Sequence, residues 1–116
     1  MNEIESLLKS GADVNTKDKN NFTLLMSFVE KGDIDTVGIL LAYGANVNVK
    51  DFSDLTALDY AIQKKHTQIA KMLVQNGANI TNDNYMLAVK ANNKELVSFF
   101  DTLDPNKHIF LKNKMK

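Results

Sequence analysis

The sequence predicts an all-α repeat solenoid, made of stacked helix-turn-helix units joined by hairpin loops. The first observation behind this is a recurrence. Gly11-Ala12-Asp13-Val14-Asn15 returns as Gly44-Ala45-Asn46-Val47-Asn48 and again as Gly77-Ala78-Asn79-Ile80-Thr81. The three glycines are evenly spaced, at a period of about 33 residues. A fixed period of this length marks architectures in which each unit buries its apolar face against its neighbours. Second, other positions keep the same register: Thr23 with Thr56, Leu25 with Leu58, Leu40 with Leu73, Leu41 with Val74. Third, an apolar-rich helical stretch precedes each Gly-Ala pair: Leu7-Leu8, then Val37 to Leu41, then Ala70 to Val74. A glycine just past the last periodic residue is where a left-handed residue ends a helix without a Cβ penalty.

The elements follow in order. The first unit is incomplete: it holds only a second helix, with Ile4, Leu7 and Leu8 as its apolar stripe. Part of that stripe is expected to stay exposed unless upstream sequence or another chain covers it, so self-association through this open N-terminal end is one expectation. The polar run Asn15 to Asn21 reads as a turn, and Asn21 and Asp54 are residue types that tolerate positive φ. Two complete units follow. The last unit is shortened: Ala88 matches Ala61, but follows it at about six residues less than the period. Asp83 falls in the Thr23/Thr56 place and is expected to cap the next helix. The last second helix carries Leu96, Val97, Phe99 and Phe100. Asp104-Pro105 then suggests one further short helix bearing Ile109, Phe110 and Leu111. The chain thus divides into a solenoid over 1–104 and a C-terminal cap helix or lysine-rich tail over 105–116.

These residues resemble the ankyrin-repeat family over nearly the whole chain, as a divergent array of about three to four repeats. The family pattern runs D-x-x-G-x-T-P-L-H-x-A-A-x-x-G-H, then a second helix, then G-A-D-V-N. The second unit reads Asp18-Lys19-Asn20-Asn21-Phe22-Thr23-Leu24-Leu25-Met26 and the third Asp51-Phe52-Ser53-Asp54-Leu55-Thr56-Ala57-Leu58-Asp59. Asn21 and Asp54 replace the glycine, Leu24 and Ala57 the proline, Met26 and Asp59 the histidine. The family's Thr–His pair ties neighbouring turns together. Its loss implies ordinary stability, roughly 5–15 kcal/mol, and not the rigidity of a consensus array.

Composition bounds the function. Length fits one domain, and 44% hydrophobic residues suffice for a core. Fourteen basic residues, all lysine, balance fourteen acidic ones, so no global field points to nucleic acid or a bare membrane. Without cysteine there are no disulfides or thiolate metal sites. No run reaches the roughly 18 apolar residues of a membrane span, and Met1 to Glu5 lacks the basic region of a signal peptide. The expectation is a cytoplasmic or otherwise intracellular protein.

Nothing in the sequence favours catalysis, a cofactor or a metal. There is no phosphate loop and no metal-spaced histidine pair. His66 falls at a structural turn of its repeat, and His108 in the tail reads as surface or end-cap packing. Asp51, Asp54 and Asp59 read as a solvated turn. Met26, Met72 and Met86 read as core filling. Asn21-Phe22-Thr23 and Asn79-Ile80-Thr81 match a glycosylation sequon, but both fall on recurring repeat positions. The lysines at 107, 112, 114 and 116 read as a solvated tail.

The resemblance implies a partner protein docked on the hairpin tips and the exposed face of the first helices. On this chain the tips are Lys19, Asn20 and Phe22, then Phe52, Ser53 and Leu55; the helix face is Glu30, Lys31, Gln63, Lys64 and Lys90. Phe22, Phe52 and Leu55 would form an anchor if clustered, although Phe22 and Leu55 have the alternative of tucking against their own hairpins. The favoured function is a non-catalytic adaptor or inhibitor module. The alternatives are a regulatory or targeting fragment of a larger enzyme or effector, and a substrate for hydroxylation at Asn15 or Asn48.

Overall fold

The computed structural model describes residues 2–103. These residues form seven α-helices: α1 (Glu3–Lys9), α2 (Leu24–Lys31), α3 (Ile34–Ala42), α4 (Ala57–Gln63), α5 (Thr67–Gln75), α6 (Asn82–Lys90) and α7 (Lys94–Leu103). The proposed short helix after Pro105, the lysine-rich tail and His108 lie outside the described residues. The helices stack in two rows. The first helices α2, α4 and α6 pack side by side, and the second helices α1, α3, α5 and α7 pack along them.

Each turn is specified by local chemistry. Gly11, Gly44 and Gly77 take positive φ after the second helices. The next amide in each case reaches back five residues: Ala12 to the Leu7 carbonyl, Ala45 to Leu40, Ala78 to Leu73, at 2.9–3.0 Å. This closes each helix with its last carbonyls satisfied. Asn21 and Asp54 also take positive φ, at 61° and 67°, as their residue types allow. The first helices end the same way at Gly32, Lys65 and Asn92.

Leu40 and Leu73 are fully buried, as are Leu25, Leu58, Val29 and Ile62. The repeated leucines therefore form the stacking core. In the last unit Tyr85, Leu96 and Phe100 fill this space, with the two aromatic rings 6.5 Å apart.

The last unit corrects one expectation. Thr81, not Asp83, caps α6: its hydroxyl accepts from the Asn84 N–H at 3.1 Å, and Asn84 Oδ1 accepts from the Thr81 N–H at 2.9 Å. Thr81 follows Thr56 at eight less than the repeat period, while Asn92 follows Lys65 at six less. The hairpin has therefore lost eight residues, and α6 gains two at its start. The capping box, which needs a hydroxyl and a side-chain acceptor three residues on, outweighs the register of Ala88.

The lost Thr–His tie is also replaced. Asp59 Oδ2 accepts from the Thr56 N–H at 2.9 Å, while its Oδ1 accepts from Asn84 Nδ2 of the next unit. Asp59 is thus a repeat-to-repeat link and not a solvated turn residue. A second set of ties runs through the asparagines. Asn15 Oδ1 accepts from the Asn46 N–H at 2.8 Å, and Asn48 Oδ1 from the Asn79 N–H at 2.9 Å. Along the α1 stripe, Leu8 is buried, Ile4 partly so, and Leu7 is 51% exposed.

Candidate functional site: hairpin tips and the groove behind them

The tips are built on a repeated carboxylate cradle. Asp18 Oδ1 accepts from the N–H groups of Asn20 and Phe22 at 2.8 and 3.0 Å. Asp51, its match one repeat on, does the same for Ser53 and Leu55 at 2.9 and 3.0 Å. The two differ in cover. Asp18 is exposed, whereas Asp51 is buried because the Tyr60 hydroxyl closes over it and donates to Oδ2. The preceding unit has Ser27 in the Tyr60 place.

Burial alone would raise the Asp51 carboxyl. The hydrogen bonds from the Tyr60 hydroxyl and the Leu55 and Ser53 amides outweigh it and hold the group below the usual carboxylate value. Tyr60 is pushed up to about 12, by burial first and then by its bond to Asp51 and the charge there. Asp51 is therefore a structural anion inside the hairpin, a correction to its reading as solvated.

Tyr60 also settles Phe22. The two rings meet edge to face, with centroids 5.5 Å apart at 84°. Phe22 is half-buried against the third unit and does not join an exposed anchor. The hairpins are tied side by side: the Phe52 N–H donates to the Asn20 carbonyl at 3.0 Å, and Asn21 Nδ2 to the Lys50 carbonyl at 2.8 Å. Tied to the second hairpin and to its own Asp51 cradle, the third hairpin holds Phe52 78% exposed. Among the described residues it is the most exposed large apolar side chain.

Behind the tips, a groove of about 290 Å³ runs between α4 and α6, lined by Leu55, Asp59, Gln63, Asp83, Met86, Leu87 and Lys90. It brings together three of the expected residues, Leu55, Gln63 and Lys90. Leu55 is half-buried at its head. Lys19, Asn20 and Ser53 are exposed at the tips, and Glu30, Lys31 and Lys64 are exposed toward the other ends of α2 and α4. Lys31 Nζ sits 4.9 Å over the Phe28 ring.

Asp83, Met86 and Leu87 were not legible as groove residues. Met86 is half-buried here and is not core filling, because its side of α6 faces the groove against α4. A larger space of about 460 Å³ beside Val89 and Val97 is the stacking face of the last unit. The matching residues of the preceding unit, Ile62 and Ala70, are fully buried under the next one. Among the described residues no cluster of histidine, aspartate or glutamate could hold a metal ion, and no helix is long and apolar enough to cross a membrane.

A helical stack with aligned hairpin tips and a groove behind them defines a repeat protein. A family model described as ankyrin repeats, three copies, matches residues 2–84, and the chain belongs to the ankyrin-repeat family. The match stops inside α6, where the shortened unit departs from the pattern. Members of this family are generally protein-protein interaction modules and typically non-catalytic. No match was found among curated proteins.

Proposed function

We propose that this domain is an adaptor or inhibitor module that holds a partner protein through its hairpin tips and first-helix row. One observation carries the reading. Phe52 is held 78% exposed on a hairpin fixed by Asp51, Tyr60 and the neighbouring tip. A rigid, desolvatable aromatic is the residue type that dominates binding energy at interfaces. Leu55, Met86 and Leu87 extend the apolar contact, and Gln63 and Lys90 form its polar rim.

The test is affinity capture with the wild-type domain, followed by titration of the purified partner. Phe52→Ala should weaken binding by at least about 1 kcal/mol without lowering the melting temperature. Lys90→Glu should mainly slow association and change its salt dependence. Gln75→Glu, on the second-helix row, is the control. Lys71 is unsuitable there, because it pairs with Glu95 at 2.6 Å and lies over Phe99. Normal binding by Phe52→Ala with loss in Gln75→Glu would place the site on the opposite row.

A second contact is supported at the outer face of α2. Leu24 and Phe28 are half-exposed, whereas their matches in the next unit, Ala57 and Ala61, are buried under α2. One turn apart on α2, these two form an apolar face suited to self-association. A monomer by sedimentation at high concentration would refute it.

A further inference from the structure

The fourth unit lacks a hairpin, and one side of the third hairpin is left uncovered. At the preceding junction the second hairpin serves the third twice, through the Asn20 carbonyl and the Asn21 amide. The matching groups one repeat on are the Ser53 carbonyl and the Asp54 side chain. Among the described residues the Ser53 carbonyl accepts no backbone bond. Asp54 keeps the left-handed conformation of Asn21, but carries an acceptor-only carboxylate where Asn21 donates. Its ion pair with Lys50, at 3.5 Å, is highly exposed on both sides and weak.

The slot beside Asp54, with Lys50 also on its wall, holds about 210 Å³, and the Ser53 carbonyl lies outside its lining on the hairpin edge. The slot is continuous with the groove described above, since Leu55, Asp59 and Asp83 line both. Asp59 is committed to Thr56 and Asn84. Asp83 is exposed in the first turn of α6 and stands outside the capping box. Beyond it lie the apolar Met86 and Leu87, and at the far end Lys90.

This arrangement selects its occupant. An open hairpin edge with a carbonyl acceptor takes an extended chain, which supplies backbone N–H groups. Acceptor-only carboxylates take a cationic side chain, whose aliphatic stem can lie on Leu55. The Met86–Leu87 surface takes an apolar residue, and Lys90 takes an acid. Asp83 and Lys90 are separated by seven residues of α6, roughly 10 Å along a helix. An extended chain covers that span in about three residues.

We propose that the slot vacated by the fourth hairpin receives an extended segment of the partner protein. A lysine or arginine of that segment sits between Asp54 and Asp83, an apolar residue rests on Met86 and Leu87, and an acidic residue about three positions away meets Lys90. This deepens the reading of the domain as a protein-binding module and rests on it.

The probe is a short capped peptide holding arginine, then leucine, then glutamate three positions from the arginine, made in both chain directions. A companion peptide has glutamine for the arginine. Titration followed by backbone amide shifts should move residues 53–55 and 83–90. The Asp54→Asn/Asp83→Asn double variant should weaken the arginine peptide about two- to fivefold, the scale of exposed charge pairs. It should leave the glutamine peptide unchanged, and melts should show the variant folded. No binding in either direction, shifts elsewhere, or equal loss for both peptides would overturn the proposal. The two readings separate cleanly. If Phe52→Ala abolishes capture of the partner while the peptides fail, the slot is wrong and the tip surface stands. If the peptides show the expected coupling while partner binding ignores Phe52, the slot stands and the tip anchor falls.

Discussion

Replacing Tyr60 with Phe should show how firmly the third hairpin is held. The substitution removes one hydroxyl and keeps the ring, so the edge-to-face contact with Phe22 at 5.5 Å survives. What is lost is the bond to Asp51 Oδ2, a buried carboxylate whose Oδ1 keeps the Ser53 and Leu55 amides. A hydrogen bond to a charged group contributes about 1.5–3 kcal/mol. For a domain of this size, about 2 kcal/mol lowers the melting temperature by roughly 10 °C. The pH profile carries the sharper signature. Tyr60 is raised in the fold, so its contribution is full below about pH 10 and fades as pH rises toward 12. Asp51 is lowered, so its contribution is full above its ordinary value of 3.8 and fades as pH falls below that. The gap between wild type and Tyr60→Phe should therefore be a plateau that narrows at both ends. Calorimetry or denaturant melts across pH will measure it. A gap under about 0.5 kcal/mol at neutral pH, or one that persists undiminished to pH 12, would refute the assignment.

Leu40→Ala or Leu73→Ala should cost about 2–5 kcal/mol and broaden or abolish cooperative unfolding, because both side chains are fully buried between units; an unchanged melt for both would reject the stacking register. Gly32→Ala should be destabilising for two separable reasons: φ is +75°, and an added Cβ would lie 2.7 Å from the His66 ring. The expected loss is about 1–3 kcal/mol, and His66→Ala in that background should restore the steric part while leaving the backbone part. If His66→Ala gives no recovery, the ring is not what confines that turn.

The solenoid was legible because its signals are local and repeated. Gly11, Gly44 and Gly77 end helices by the same five-residue backbone bond, and the leucines at 40 and 73 repeat at the spacing that buries them. The last unit was legible only in outline. Two registers compete there, one set by Thr81 and one by Ala88, and side-chain capping decides between them. Phe22 could not be separated from Phe52 by sequence, since both stand near hairpin tips. The separation comes from Tyr60, which has no counterpart in the preceding unit, where Ser27 stands. Asp83 and Met86 were missed as groove residues because α6 starts two residues earlier than its register predicts, which moves Asp83 from the cap into the first turn.

The stacking order has a consequence for how events at one end are felt at the other. α4 packs on α2, α5 and α6, whereas α1 packs on α3 and α7 on α5 and α6. Stability in such a chain is approximately a sum of unit stabilities and couplings between adjacent units. Ligation between α4 and α6 should therefore suppress amide exchange in the last two units while α1 continues to fray at its unliganded rate. The third unit becomes the relay: loosening it by a substitution such as Tyr60→Phe would insulate the two ends from each other, even with both still folded.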